Sequence, residues 1–135
     1  MLGVGRSIRG DEAGGLIVAD ELAKLGTGAL VIRAEDRPEN WTKEVVAFAP
    51  THVLLVLATP FGGAPGETKL VSFRGHEGGS LHESPFTTLD HYLGSLMAVD
   101  VRLLMIEPRA VVGEVTVTMR GAAKRVVGEI ASALS

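Results

Sequence analysis

Short apolar runs that alternate with helix-like segments constrain this sequence more than any other feature. Residues 53–57 are consecutive aliphatic residues without polar alternation, which is typical of a strand covered on both faces. Alternating strands and helices favour a mostly parallel sheet with helices on both sides. We therefore predict an α/β fold, a three-layer α/β/α sandwich, in a single domain spanning residues 1–135. Further strand-like runs lie at residues 1–5, 29–32, 69–73 and 101–106.

Apolar residues at helical spacing predict four helices, of which the last is the clearest because one apolar stripe opposes Lys124, Arg125 and Glu129. Residues 59–66 contain two prolines and three glycines, so we expect a loop there. This loop and residues 74–80 are either lids that contact a substrate or simple connectors. The predicted helices occupy residues 12–25, 39–49, 86–98 and 122–134.

Composition excludes several classes of function. The chain has no cysteine, so thiol nucleophiles, thiolate metal sites and disulfides are excluded, and nothing indicates secretion. A net charge of −3, with basic residues scattered among acidic ones, makes nucleic acid an unexpected partner. No apolar run approaches the roughly 20 residues of a membrane span. We expect a cytoplasmic protein without membrane insertion.

The glycine-rich segment 3–10 follows the first strand and precedes the first helix, as a dinucleotide-binding turn would. Its third glycine comes one position too late, however, and Asp11 and Glu12 open the helix where a pyrophosphate needs bare amides. No acidic residue clearly ends the predicted second strand at Ile32. We therefore rank a nucleotide site last. On their own, Asp11 and Glu12 also fit an N-cap and a first-turn acid.

The same segment resembles the opening signature of the hydrogenase maturation endopeptidases, Gly-x-Gly-Asn-x-Leu-x-x-Asp-Asp-Gly-x-Gly. Arg6 stands in place of the asparagine, Glu12 in place of the second aspartate, and Ala13 in place of the following glycine. Further similarities follow in the same order along nearly the whole chain. They are Pro38-Glu39-Asn40, Pro50-Thr51-His52, Pro65-Gly66-Glu67, His82 with Pro85, Leu89 and Leu93, and Ile106-Glu107-Pro108.

The resemblance implies a phosphorylase/hydrolase-like sandwich and a nickel-recognising, aspartic-type endopeptidase. In this family two carboxylates and a histidine recognise nickel that is already installed in the large-subunit precursor of a NiFe hydrogenase, from which a C-terminal extension is removed. The precursor would be the partner, and nickel would belong to it rather than to an intrinsic cofactor. By position, Glu12 and His82 would contact nickel, with Asp11 in support. No catalytic residue is assigned.

One family position is changed. The second carboxylate ends the central strand, and counting back from Pro65 places Leu57 there, with Ala58 and Thr59 where the family has Ala-Thr. Leucine cannot bind a metal. The alternative hypothesis is therefore a catalytically silent relative that binds hydrogenase components during assembly. Substitute carboxylates remain open, and the candidates are Glu67, Glu83 and Asp90.

Overall fold

The computed structural model describes residues 1–72, 92, 96 and 99–134. Within these residues the strands are β1 (Leu2–Val4), β2 (Ile32–Glu35), β3 (His52–Ala58), β4 (Thr68–Ser72) and β5 (Asp100–Ile106). They form a sheet in the order β2-β1-β3-β5-β4. All neighbours are parallel except β4, which runs antiparallel to β5. The predicted α/β fold with a mostly parallel sheet is confirmed.

The helices cover both faces of this sheet. They are α1 (Gly14–Ala23), α2 (Thr42–Phe48) and α3 (Val117–Leu134). A short 3-10 turn, Gly10–Ala13, leads into α1, and another, Pro38–Trp41, leads into α2. No helix among the described residues is long and apolar enough to cross a membrane.

Two apolar clusters explain why β3 lacks polar alternation. Val56 and Ala58 pack with α1 and α3 on one face, whereas Leu55 and Leu57 pack on the opposite face with the cluster that includes Tyr92. Successive side chains of a strand point to opposite faces, so a central strand between two helical layers must be apolar at every inward position. The predicted helix 86–98 lies mostly outside the described residues, but Tyr92 and Leu96 are buried in this second cluster.

The predicted position of the second strand was partly wrong. We expected residues 29–32, but the strand is Ile32–Glu35, in which Ile32 and Ala34 are buried while Arg33 and Glu35 are exposed. At the edge of the described sheet, one face of β2 remains open to solvent, so polar and apolar residues alternate. The apolar run at residues 29–32 overlaps the strand only at Ile32. The strand itself is the alternating segment Ile32–Glu35.

Helix α1 lies unusually close to the sheet. A Cβ atom on Gly15 would overlap the carbonyl oxygens of Val56 and Val4, and one on Gly3 would lie 2.7 Å from the Cβ of Ala19. The glycines of the opening signature therefore permit contact between the helix backbone and the strand backbone. This close packing fixes the turn between β1 and α1 against the carboxyl ends of the strands.

Candidate functional site

A cleft of about 520 Å³ opens at the carboxyl ends of β1, β2 and β3. Parallel strands bring their carboxyl ends to one edge of the sheet, which is where α/β folds commonly place ligands. The cleft volume falls in the usual range for small-ligand and substrate sites. Its walls are Val4, Gly5, Arg6, Arg9, Glu12, Asp36, Arg37, Pro38, Leu57, Ala58, Thr59, Pro60 and Val111.

Glu12 is one of the predicted site residues and lines this cleft. It lies in the 3-10 turn before α1, and its backbone carbonyl accepts a hydrogen bond from the amide of Arg6 at 3.4 Å. Its side chain is paired, since Oε2 lies 3.1 Å from Nε of Arg9. A ligand that needs the Glu12 carboxylate must compete with this guanidinium.

Leu57 lines the same cleft, at the end of β3 beside Val4. Only 8% of its surface is exposed, and with Val4 and Ala58 it gives the cleft an apolar floor. The structure thus brings Glu12 and the altered position 57 together. His82, the third predicted position, lies outside the described residues, as do Glu83 and Asp90.

Asp36 is a cleft carboxylate that sequence reasoning missed. It directly follows β2, and its Oδ2 lies 3.3 Å from Nε of Arg6 across the glycine-rich turn. The expectation that no acid ends the second strand was wrong, because that strand was placed too early. Glu67, a proposed substitute, is instead held outside the cleft walls, where its Oε1 accepts a hydrogen bond from the amide of Ala64 at 3.2 Å.

Asp11 is fully buried and points away from the cleft, toward the segment between β5 and α3. Its Oδ2 accepts hydrogen bonds from the amides of Arg109 (2.8 Å) and Ala110 (3.2 Å), and its Oδ1 accepts one from the amide of Thr116 (2.7 Å). The Thr116 hydroxyl also donates to this carboxylate at 2.8 Å and accepts a bond from the amide of Met119 at 3.2 Å, which caps α3.

Opposing effects act on the pKa of Asp11. Burial would raise it, but the hydrogen bonds from Thr116, Arg109 and Ala110 stabilise the charged form and hold the pKa below its ordinary value. Asp11 is therefore a structural anion that joins the opening turn to the start of α3. The alternative interpretation as a side-chain N-cap is wrong, because the residue at the N-cap of the 3-10 turn is Arg9.

Several backbone amides of the glycine-rich turn already donate hydrogen bonds. The amide of Gly5 donates to the carbonyl of Glu35 at 2.8 Å, and the amide of Asp11 donates to Ala110 at 2.8 Å. The amides of Arg6 and Glu12 likewise donate to carbonyls within the turn. A phosphate cradle requires such amides to be free, so the geometry does not favour a nucleotide even though Asp36 ends β2.

Comparison with known proteins agrees with this architecture. No protein-family model matches the chain. It is 35% identical over 72 residues to the hydrogenase 3 maturation protease of Escherichia coli strain K12, a match covering 53% of this chain and 46% of that protein. The match thus spans about half the length of this curated relative. The NiFe hydrogenase maturation protease HycI from Thermococcus kodakarensis KOD1 superimposes with a TM-score of 0.84 and 28% identity, over 98% of this chain and 89% of that one.

The resemblance to the hydrogenase maturation endopeptidases is confirmed. The endopeptidase HycI from Escherichia coli gives a TM-score of 0.82 with 25% identity, over 97% of this chain and 87% of that one. The maturation protease HybD from Thermococcus kodakarensis gives a TM-score of 0.74 at 15% identity, over 99% and 97% of the two chains, and shows the fold alone. The chain therefore has the fold of these endopeptidases over nearly its whole length.

Relative to the endopeptidase signature, the charge of the cleft is changed. Arg6 occupies the signature asparagine position, and Arg9 and Arg37 also line the walls. Arg6 pairs with Asp36 and Arg9 pairs with Glu12, whereas the exposed guanidinium of Arg37 makes no ion pair with the residues that the structure describes. Three arginines against two carboxylates leave these walls with one positive charge. Within the described part of the chain, no group of three metal-binding side chains is found.

Glu107 directly follows β5 and positions one wall of the cleft. Its Oε1 accepts hydrogen bonds from the amides of Phe61 and Gly63, both at 2.9 Å. Its backbone carbonyl accepts a bond from the amide of Gly66 at 2.9 Å. The loop that begins at Thr59 and Pro60 is thereby fastened to the end of β5.

Proposed function

We propose that this chain is an endopeptidase that removes the C-terminal extension of a nickel-loaded NiFe hydrogenase large-subunit precursor. The observation that carries the proposal is the likeness to NiFe hydrogenase maturation protease HycI over 98% of the chain, with Glu12 on the cleft at the strand ends. Nickel would arrive as part of the substrate, and no intrinsic cofactor is required. Glu12 and His82 would contact that nickel.

In an aspartic-type mechanism, the carboxylates of the cleft would act on the attacking water. Peptide hydrolysis needs a base that accepts a proton from water and positive charge near the scissile carbonyl. Glu12 and Asp36 are the carboxylates of the described cleft, and nickel on the substrate would polarise the carbonyl as a Lewis acid. Each carboxylate is paired with an arginine, so substrate entry would have to displace at least one of these pairs.

Leu57 favours a second candidate, a catalytically silent assembly factor that binds the hydrogenase precursor. The apolar floor at position 57 lacks the carboxylate found in the family at that position, and loss of one metal ligand weakens nickel contact. In this second function, the precursor would bind without losing its C-terminal peptide.

The deciding experiment is intact-mass spectrometry of a nickel-loaded large-subunit precursor incubated with the protein. Parallel reactions use Glu12→Gln, Asp36→Asn and His82→Ala, with Asp20→Asn as the matched control. Asp20 is an exposed acid on α1 that pairs with Arg33 and lies outside the cleft walls. Release of one defined peptide by the wild type and Asp20→Asn, with loss of cleavage in Glu12→Gln, supports the endopeptidase. Complex formation on a sizing column without cleavage by the wild type supports the assembly factor.

A further inference from the structure

We propose that the cleft accepts a peptide segment bearing a carboxylate side chain, and that Arg37 is the residue that receives it. This inference deepens the proposed function, on which it rests, by specifying a chemical feature of the substrate segment that enters the cleft. Three observations support it: the ion pairs of the other cleft arginines, the apolar residues of the cleft walls, and the hydrogen bonds already made by backbone amides of the glycine-rich turn.

Charge pairing distinguishes Arg37 from the other cleft arginines. The carboxylates of Glu12 and Asp36 are each within 3.3 Å of a guanidinium nitrogen, at 3.1 and 3.3 Å respectively. These ion pairs leave Arg37 as the unmatched charge on the described walls. A guanidinium presents a planar fork of donors that matches a carboxylate in a two-point hydrogen bond. A carboxylate is therefore favoured beside Arg37.

The apolar part of the cleft indicates a peptide rather than a small inorganic anion. Leu57, Val4 and Pro60 are apolar residues of its walls. Two exposed apolar side chains adjoin wall residues in the sequence: Val112, beside Val111, is 77% exposed, and Ile8, beside Arg9, is 88% exposed. We call Ile8, Val111 and Val112 the rim. The two turns are joined by the bond from the amide of Asp11 to the carbonyl of Ala110, at 2.8 Å.

Large exposed apolar side chains beside a cleft are typical of a surface that binds another protein segment. An acidic residue flanked by aliphatic ones would place its carboxylate at Arg37 and its neighbours on this rim. A phosphate group fits less well, because the amides of Gly5, Arg6 and Asp11 already donate to backbone carbonyls.

The test is a titration of the isotope-labelled protein with two capped peptides, monitored through its amide NMR signals. The peptides differ only in carrying a carboxylate (Asp) or a neutral amide (Asn). The probes are acetyl-Ala-Val-Asp-Val-amide and acetyl-Ala-Val-Asn-Val-amide, with inorganic phosphate as a third probe. We expect the Asp peptide to bind roughly threefold more tightly than the Asn peptide, because Arg37 is exposed and solvent weakens its ion pairs. The amide signals that shift should be those of Gly5, Arg37, Leu57 and Val111. Affinity for the Asp peptide should fall as salt rises from about 0.05 M to about 0.5 M.

Arg37→Gln should abolish the preference for the Asp peptide, whereas Arg120→Gln should retain it. Arg120 is an exposed arginine on α3, outside the cleft walls, and is the matched control. Equal binding of both peptides, shifts located elsewhere, or stronger binding of phosphate would overturn the proposal.

Binding is measured here without cleavage, so the two proposals can fail separately. A cleft that prefers the Asp peptide in a protein that does not cut the precursor would overturn the endopeptidase and retain the anionic site. Cleavage of the precursor without any preference for the Asp peptide would overturn only the anionic site.

Discussion

At the scale of residues, the adjacent acids Asp11 and Glu12 have different roles. Glu12 lines the cleft, whereas Asp11 is buried among three amides and a hydroxyl group. The sequence identified the pair but could not separate its members, because both N-capping and ligand binding favour acids at the start of a helix. The separation depends on the segment between β5 and α3, about 100 residues further along the chain.

We predict that Asp11→Asn lowers the free energy of unfolding by about 2 to 3 kcal/mol, since it replaces charge-assisted bonds and turns an amide donor toward other donors. The folded-state pKa of Asp11 lies below its unfolded value, so its contribution is present above the unfolded pKa. It is lost as pH falls through the folded pKa. Urea denaturation should therefore show a constant difference from wild type at neutral pH that shrinks below about pH 4.

The control for Asp11 is Asp20→Asn, which removes an exposed acid from α1 and should change stability by less than about 0.5 kcal/mol. An Asp11→Asn variant whose deficit stays constant down to the lowest pH measured would contradict the assigned role of the charge.

Leu57 allows a test of the missing carboxylate. We predict that Leu57→Asp raises affinity for free Ni²⁺ by at least roughly tenfold over Leu57→Asn, because aspartate supplies a negatively charged oxygen ligand, and asparagine only a neutral one, in the cleft shared with Glu12. Both variants bury a polar group at a site that is 8% exposed and should lose about 1 to 3 kcal/mol of stability. Calorimetric titration with nickel measures the difference. Equal affinities would show that position 57 does not face the metal-binding part of the cleft.

At the scale of elements, the sequence predicted every described strand except β2 to within one residue at each end, including β4 at the opposite edge of the sheet. β3 and β5 were found within one residue because an apolar run between two helical layers has clear limits. β2 was displaced because its strand pattern, Ile-Arg-Ala-Glu, is alternating rather than apolar. The hydrophobic pattern of a strand depends on which of its two faces are covered, and in β2 only Ile32 and Ala34 are buried.

The packing of α1 predicts opposite outcomes for two glycine-to-alanine changes. Gly15→Ala should destabilise the protein by about 1 to 3 kcal/mol, because the new Cβ would overlap the carbonyl oxygens of Val56 and Val4. Gly128→Ala, on an exposed part of α3 with no atoms within 4 Å of the added Cβ, should stabilise it by about 0.5 to 1 kcal/mol. Thermal and urea unfolding of both variants provide the comparison. Stabilisation by both changes would contradict the close contact between helix and sheet.

At the scale of the whole molecule, the location of the cleft could be predicted from topology but its composition could not. Parallel strands imply a site at their carboxyl ends, and the signature placed Glu12 and Leu57 there. Asp36 and Arg37 were missed because they follow the misplaced strand β2. The pairing of Arg6 with Asp36 joins turns that are 30 residues apart, and only folding brings them together.

The sheet also predicts how the two apolar clusters unfold. Trp41, the single tryptophan, packs on one face, whereas α1 and α3 pack on the other, and β3 contributes side chains to both clusters. Loss of either cluster exposes the shared strand, so we expect one cooperative transition. Tryptophan fluorescence and far-ultraviolet circular dichroism should give the same urea midpoint, and Gly15→Ala should lower both equally. Separate midpoints would mean that the faces unfold independently and would contradict a single domain, because fluorescence reports the Trp41 face while α1 and α3, the two longest described helices, contribute helical signal from the opposite face.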